Sequence, residues 1–210
     1  MESKKPRRKP RGRSGTLFVD GVAAEVRLAN LPDEKSQIEQ LVADRFCRGE
    51  SPFRQQIARY GKFVKLEAQP ENGIDFRVTT DQGEKWLELA EFAPLEFFEG
   101  NYENATGHWT FEGMQNLLSN LIQKKNSKNY GNGVILIVYQ TDDRFFIPPP
   151  VTQGMPIILA NLKISFEAIY CVSPNGTVVE AWPGDPRSQA FAAELGQGNI
   201  SVGMLIPPKA

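Results

Sequence analysis

Between Leu31 and Gly49 the apolar residues Ile38, Leu41, Val42 and Phe46 recur at helical spacing, with Asp33 placed to cap the start and Gly49 to close the end. Glu39 falls beside Val42 and Phe46 on the helical wheel, at the edge of the apolar stripe, where a carboxylate can look into a cleft. The period then changes. Phe63 to Ala68, Ile74 to Thr80 and Glu84 to Phe92 read as three strands, the last two joined by a turn at Asp81-Gln82-Gly83. From Thr110 to Asn129 the helical period returns through Phe111, Met114, Leu117, Leu118, Leu121 and Ile122, ending at Asn129 and Gly131. Gly133 to Gln140 is apolar almost throughout and predicts a central strand covered on both faces. The run DDRFFIPPP breaks regular structure, and Pro156 to Leu162 predicts a short helix. Ser165 to Val172 and Thr177 to Trp182 predict a strand pair around Ser173-Pro174-Asn175-Gly176, and a last short helix is expected at Ser188 to Leu195. No internal repeat is visible. The order of helix, three antiparallel strands, helix, central strand, short helix and strands predicts an α/β (α+β) protein whose mixed central β-sheet is flanked by helices.

Composition narrows the class without changing this picture. The chain has 210 residues, 40% hydrophobic and 23% charged, enough for one domain with a sizeable core. No apolar run approaches the roughly 18 residues a membrane helix needs, so a membrane partner is not expected and a cytoplasmic protein is. Cys47 and Cys171 are too few for a disulfide scaffold and wrongly spaced for a zinc site, which also suits a reducing compartment. The net charge of −1 hides a split. Seven basic side chains (Lys4, Lys5, Arg7, Arg8, Lys9, Arg11, Arg13) and one acidic, Glu2, lie in residues 1–13, a local charge of +6 that leaves −7 on the rest. Residues 1–15 are therefore expected to be a disordered basic tail before a single domain at 16–210, with its core at about 31–182. Such a tail is either a solubilising segment or one that binds phosphates, in which case the binding weakens with salt.

The chemistry lies in the second hairpin. If Asp81 pairs with Glu84, position 75 faces 90 and 77 faces 88, so that Asp75, Glu88 and Ala90 share one face and Ile74, Phe76, Val78, Leu87 and Leu89 the other. Two carboxylates on diagonal positions stand roughly 7 Å apart by backbone, near enough to share one hard divalent cation, Mg2+ or Mn2+. A three-residue loop would move one of them to the opposite face. Glu91 competes with Glu88 but falls on the side of Leu87 and Leu89. His108 sits between Gly107 and Trp109 in what reads as a polar loop, without a nucleophile signature, and is expected at the surface, and Trp86, Trp109 and Trp182 read as packing residues.

The stretch ENGIDFRVTTDQGEKWLELAEF resembles the hairpin of the PD-(D/E)XK nuclease superfamily, the restriction-endonuclease-like fold, in which an aspartate is followed after a β-turn by an acid, any residue and lysine. Asp75 matches the aspartate and Glu88 the acid. The later IQKKNSKNY and FEAIYCVSP are similar to segments of a bacterial branch of that superfamily. The sequence departs from the pattern at Gly73-Ile74, which replaces a proline, and at Ala90, which stands where the lysine belongs. The resemblance implies an αβββαβ core, DNA as the partner, Mg2+ or Mn2+ as the cofactor held by Asp75, Glu88 and the first-helix Glu39, and a homodimer as an admissible assembly. It also implies a lysine moved to the following helix. Lys125 follows Leu121 by four and Leu118 by seven, near the middle of the apolar stripe, whereas Lys124 is about a quarter-turn off it; Lys124 and Lys128 are the alternatives. A lysine on a buried stripe needs an anionic partner, and the carboxylate pair or a scissile phosphate would supply one. Two functions are expected from this set. One is a metal-dependent nuclease hydrolysing phosphodiester bonds in DNA with catalytic Asp75, Glu88 and Lys125. The other is a catalytically degenerate nuclease fold that binds nucleic acid or protein, and the lysine missing from position 90 divides them.

Overall fold

A computed structural model describes residues 13–19, 22–29, 31–49, 58–69, 73–101, 107–142, 145–173, 178–184 and 204–206. Its centre is a six-stranded mixed sheet formed by β3 (Phe63–Ala68), β4 (Phe76–Thr80), β5 (Gly83–Glu91), β7 (Val134–Tyr139), β8 (Ala168–Val172) and β9 (Val178–Trp182), in that spatial order. β5, β7 and β8 run parallel, and the outer pairs are antiparallel. The expected α/β class and mixed sheet are therefore present. Every residue of β7 is buried, as its unbroken apolar run predicts for a strand covered on both faces.

Among the described residues, the covering comes from three α-helices. α1 (Lys35–Arg48) packs Ile38, Val42 and Phe46 against Phe76, Val78, Leu87 and Leu89 on one face. α2 (Phe111–Asn126) and α3 (Pro149–Leu159) pack Met114, Leu118, Ile122, Val151 and Met155 against Ala90, Leu136 and Val138 on the other. α2 starts at a Thr110 hydroxyl that accepts from the Gly113 N–H at 3.0 Å, and α1 ends where Gly49 takes a left-handed φ of 59°. Glu34, and not Asp33, stands at the N-cap position of α1, with no side-chain cap. Trp86 and Trp182 pack against the α2 side of the core.

Several boundaries differ from the sequence reading. α3 begins at Pro149, seven residues earlier than expected, because prolines in a first turn lack only N–H groups that would have no helical partner there. An antiparallel hairpin of β1 (Arg13–Val19) and β2 (Val22–Ala29) precedes α1, so regular structure starts inside the stretch expected to be tail. Its signal was the Asp20-Gly21 dipeptide between two apolar-rich runs. His108 belongs to a strand, β6 (Gly107–Trp109), paired with β10 (Met204–Ile206), and not to a loop. The helix expected at 188–195 and the turn at 174–176 lie outside the described residues, as do residues 1–12. Among the described residues, no helix is long and apolar enough to cross a membrane.

Candidate functional site

The register of the β4–β5 hairpin decides where the two acids go. Thr80 pairs with Gly83 and Thr79 with Glu84, so the loop is Asp81-Gln82 and Thr79, not Asp81, stands opposite Glu84. Thr80 fixes this turn: its hydroxyl donates to the Gly83 carbonyl at 3.0 Å and accepts from the Gln82 N–H at 3.2 Å. Asp81 is drawn away by the Lys62 N–H, 2.6 Å from its carboxylate. The difference from the expected register is two places, and strand side chains alternate with period two, so the face assignment survives for the residues within the two strands. Phe76, Val78, Leu87 and Leu89 lie on the α1 side while Glu88 and Ala90 lie on the α2 side. Ile74, placed with Phe76 by alternation, packs on the α2 side instead, because it precedes the strand in a bend.

β4 begins at Phe76, opposite Leu87, so from Glu88 onward β5 is paired only with β7. The backbone of Leu89 is thereby left open toward the end of β4, and two side chains take it. Asp75 accepts the Leu89 N–H on Oδ2 at 2.7 Å, and Lys125, from the last turn of α2, donates from Nζ to the Leu89 carbonyl at 2.9 Å. The same ammonium donates to Glu88 Oε1 at 2.6 Å. The hydroxyl of Tyr130, in the loop that returns the chain from α2 to β7, donates to that oxygen as well, also at 2.6 Å. Glu88 is only 2% exposed, and its second oxygen, Oε2, is buried without a hydrogen-bond partner. Asp75, Glu88 and Lys125, separated by up to 50 positions in sequence, thus meet around one backbone residue.

Their electrostatics are coupled. Burial holds the Asp75 carboxyl above its ordinary value of 3.8, the Leu89 N–H opposes this, the charges of Glu88 and Glu39 add to it, and Lys125 works against it. Burial, then the bond to Glu88, pushes the Tyr130 phenol upward, so it stays a donor at neutral pH. A raised carboxyl in the folded protein holds its proton more tightly than in the unfolded chain. Its contribution to stability is present below the ordinary aspartate range and is lost as pH rises through the raised value. Asp75→Asn keeps an oxygen for the Leu89 N–H and removes this titration. Measured by urea midpoints across the acidic range, the variant should gain on the wild type as pH rises above the ordinary aspartate value. A constant difference would mean that Asp75 ionises alike in both states.

The other candidates lie close by. Lys125 lines a cleft of about 290 Å³ together with Lys35 and Glu39 of α1, Ala90 and Glu91 of β5, and Lys124 and Lys128. Glu39 accepts from the Tyr139 hydroxyl at 3.2 Å and pairs with Lys35 at 3.1 Å. Glu91 accepts from the Thr141 hydroxyl at 2.7 Å. Among the described residues, no three His, Cys, Asp or Glu side chains are gathered closely enough to hold a metal ion by themselves. Tyr130 and the Leu89 backbone are the participants that the sequence reading missed. The first had one signal: it is the single aromatic in the polar segment SKNYGNG between the helix and the central strand. The second had none, since any residue supplies a backbone. Comparison with models of known families, with characterised proteins and with solved structures finds no match to this chain.

Proposed function

We propose that the protein is a metal-dependent nuclease that hydrolyses phosphodiester bonds in DNA, on an αβββαβ core of restriction-endonuclease type, with Asp75, Glu88 and Lys125 as its catalytic residues. The observation that carries this reading is the convergence of Asp75, Glu88 and a helix-borne lysine at Leu89, at the point where β4 ends and a cleft opens. Apart from the short β6 between β5 and α2, which lies outside the central sheet, the element order α1, β3, β4, β5, α2, β7 supports the same reading.

The donor set fits a hard divalent cation. Glu88 Oε2 is a buried carboxylate oxygen with no partner, which is costly unless something cationic or hydrogen-bonding meets it. Glu88 and Asp75 would hold Mg2+ or Mn2+, with Glu39 the next carboxylate whose charge reaches Asp75. When bound, the ion supplies polarisation of a phosphoryl oxygen and a more acidic water. Lys125 provides a positive donor next to the acids, suited to negative charge developing on the phosphate. Tyr130 fixes Glu88 by its hydroxyl, so that Oε1 is occupied and Oε2 is the oxygen left to bind.

The test is cleavage of plasmid and single-stranded DNA by the purified protein, with calorimetry for the metal. Cleavage is expected with Mg2+ or Mn2+ and is lost on chelation with EDTA, whereas Ca2+ binds without supporting turnover. A second reading, a degenerate nuclease fold that binds without turnover, is favoured by one observation: Ala90 occupies the position where the resembling pattern has its lysine. Wild-type protein that neither cleaves DNA nor binds the cation would decide for that reading.

A further inference from the structure

Of the four lysines lining the 290 Å³ cleft, two are committed to acids: Lys125 to Glu88 and Lys35 to Glu39. Lys124 and Lys128 are exposed, and among the described residues neither pairs with a carboxylate. Lys124 lies in the last turn of α2 and Lys128 in the turn that follows the helix, so both stand at the same end of it. Both complement the C-terminal end of the helix dipole. The dipole accounts for basic residues at a helix end. It does not account for both lining the cleft that Leu89 and Lys125 also line, in a chain whose residues beyond the first 13 carry a net −7.

We infer that Lys124 and Lys128 form a phosphate-binding rim, each meeting a phosphate of one nucleic-acid strand next to the phosphodiester that enters toward Glu88. The inference rests on the nuclease reading for its substrate class. Two lysines on one rim can meet two phosphates of the same strand where one would only mark a charge. Lys125 belongs to the reacting phosphate and the rim to its neighbours. The strand is held without reference to its bases, because the contacts are to phosphate alone.

The experiment is fluorescence anisotropy of a short labelled single-stranded deoxyoligonucleotide, titrated with the full chain in EDTA over a series of KCl concentrations. Three proteins are compared: the wild type, the double variant K124Q/K128Q, and K62Q, which removes one exposed charge at the β4–β5 turn, remote from the cleft. Each single-strand phosphate contact contributes a slope of about 0.7 in log affinity against log salt, so the double variant should lose about 1.4 of slope and roughly tenfold or more of affinity at low salt. K62Q should match the wild type. The basic residues 1–13 are the same in all three proteins and cancel in the difference. Equal slopes for wild type and double variant would overturn the inference. So would no binding by the wild type, or a loss in K62Q as large as in the double variant. Because binding is read with metal chelated, a protein that binds through the rim but never cleaves keeps this inference and loses the nuclease reading. A protein that cleaves with an unchanged slope does the reverse.

Discussion

Lys125→Met should lower the stability of the protein by about 3 kcal/mol, read as a fall in the urea midpoint at neutral pH. The reason is the environment of Glu88. Its carboxylate is 2% exposed and is met on Oε1 by one cation and one phenol, both at 2.6 Å, while Oε2 has no partner. Removing one member of a buried pair leaves an uncompensated charge and costs about 3–5 kcal/mol. The Lys125 side chain is 21% exposed and Tyr130 remains as a donor, which puts the expectation at the lower end. The solvent-screened pair Lys65–Glu67 gives the contrast: breaking it should leave the urea midpoint close to that of the wild type. The double variant Lys125→Met with Glu88→Leu should recover most of the loss, because no buried charge is then left alone. A single variant as stable as the wild type would mean that Glu88 does not depend on Lys125 for its burial.

The outer logic of this site was legible in the sequence because it depends on periodicity. Lys125 falls on the stripe of Leu118 and Ile122, so once α2 packs on the sheet its stem is carried inward and its ammonium has to find an anion. The separation of Glu88 and Ala90 from Leu87 and Leu89 tolerated an error in register, since a slip of two keeps parity where a slip of one would not. What could not be read depends on where elements stop. That β4 begins at Phe76, leaving the Leu89 N–H and carbonyl to side chains, is a property of chain ends and not of any residue pattern. The same holds for Tyr130, whose position depends on how the chain turns back after α2. Asn129 there has a φ of 50°, a conformation asparagine tolerates but does not announce. α3 was misplaced for the opposite reason. Its prolines look like breakers by composition and are favourable by position.

The proposed roles separate most sharply in a pair of variants. Asp75→Asn should abolish both cation binding and cleavage, because it takes one of two carboxylates from an ion that keeps few protein ligands. Lys125→Met should lower cleavage by about 100- to 1000-fold, the scale seen when one donor to developing charge is removed, yet leave the cation bound. Its affinity for Mn2+ should in fact tighten. The ammonium holds Glu88 Oε1 and the Leu89 carbonyl, and its positive charge beside the acids opposes a divalent ion that Asp75 and Glu88 would hold. The ion also relieves the charge that Lys125→Met leaves on Glu88, so added Mn2+ should raise the melting temperature of this variant more than that of the wild type. Calorimetry with Mn2+, thermal melts and the cleavage assay on all three proteins measure these outcomes together. Cleavage that survives Asp75→Asn would place the activity elsewhere or in a contaminant. Loss of the cation in Lys125→Met would show that the lysine holds the carboxylates in place and does not act on the charge that develops at phosphorus.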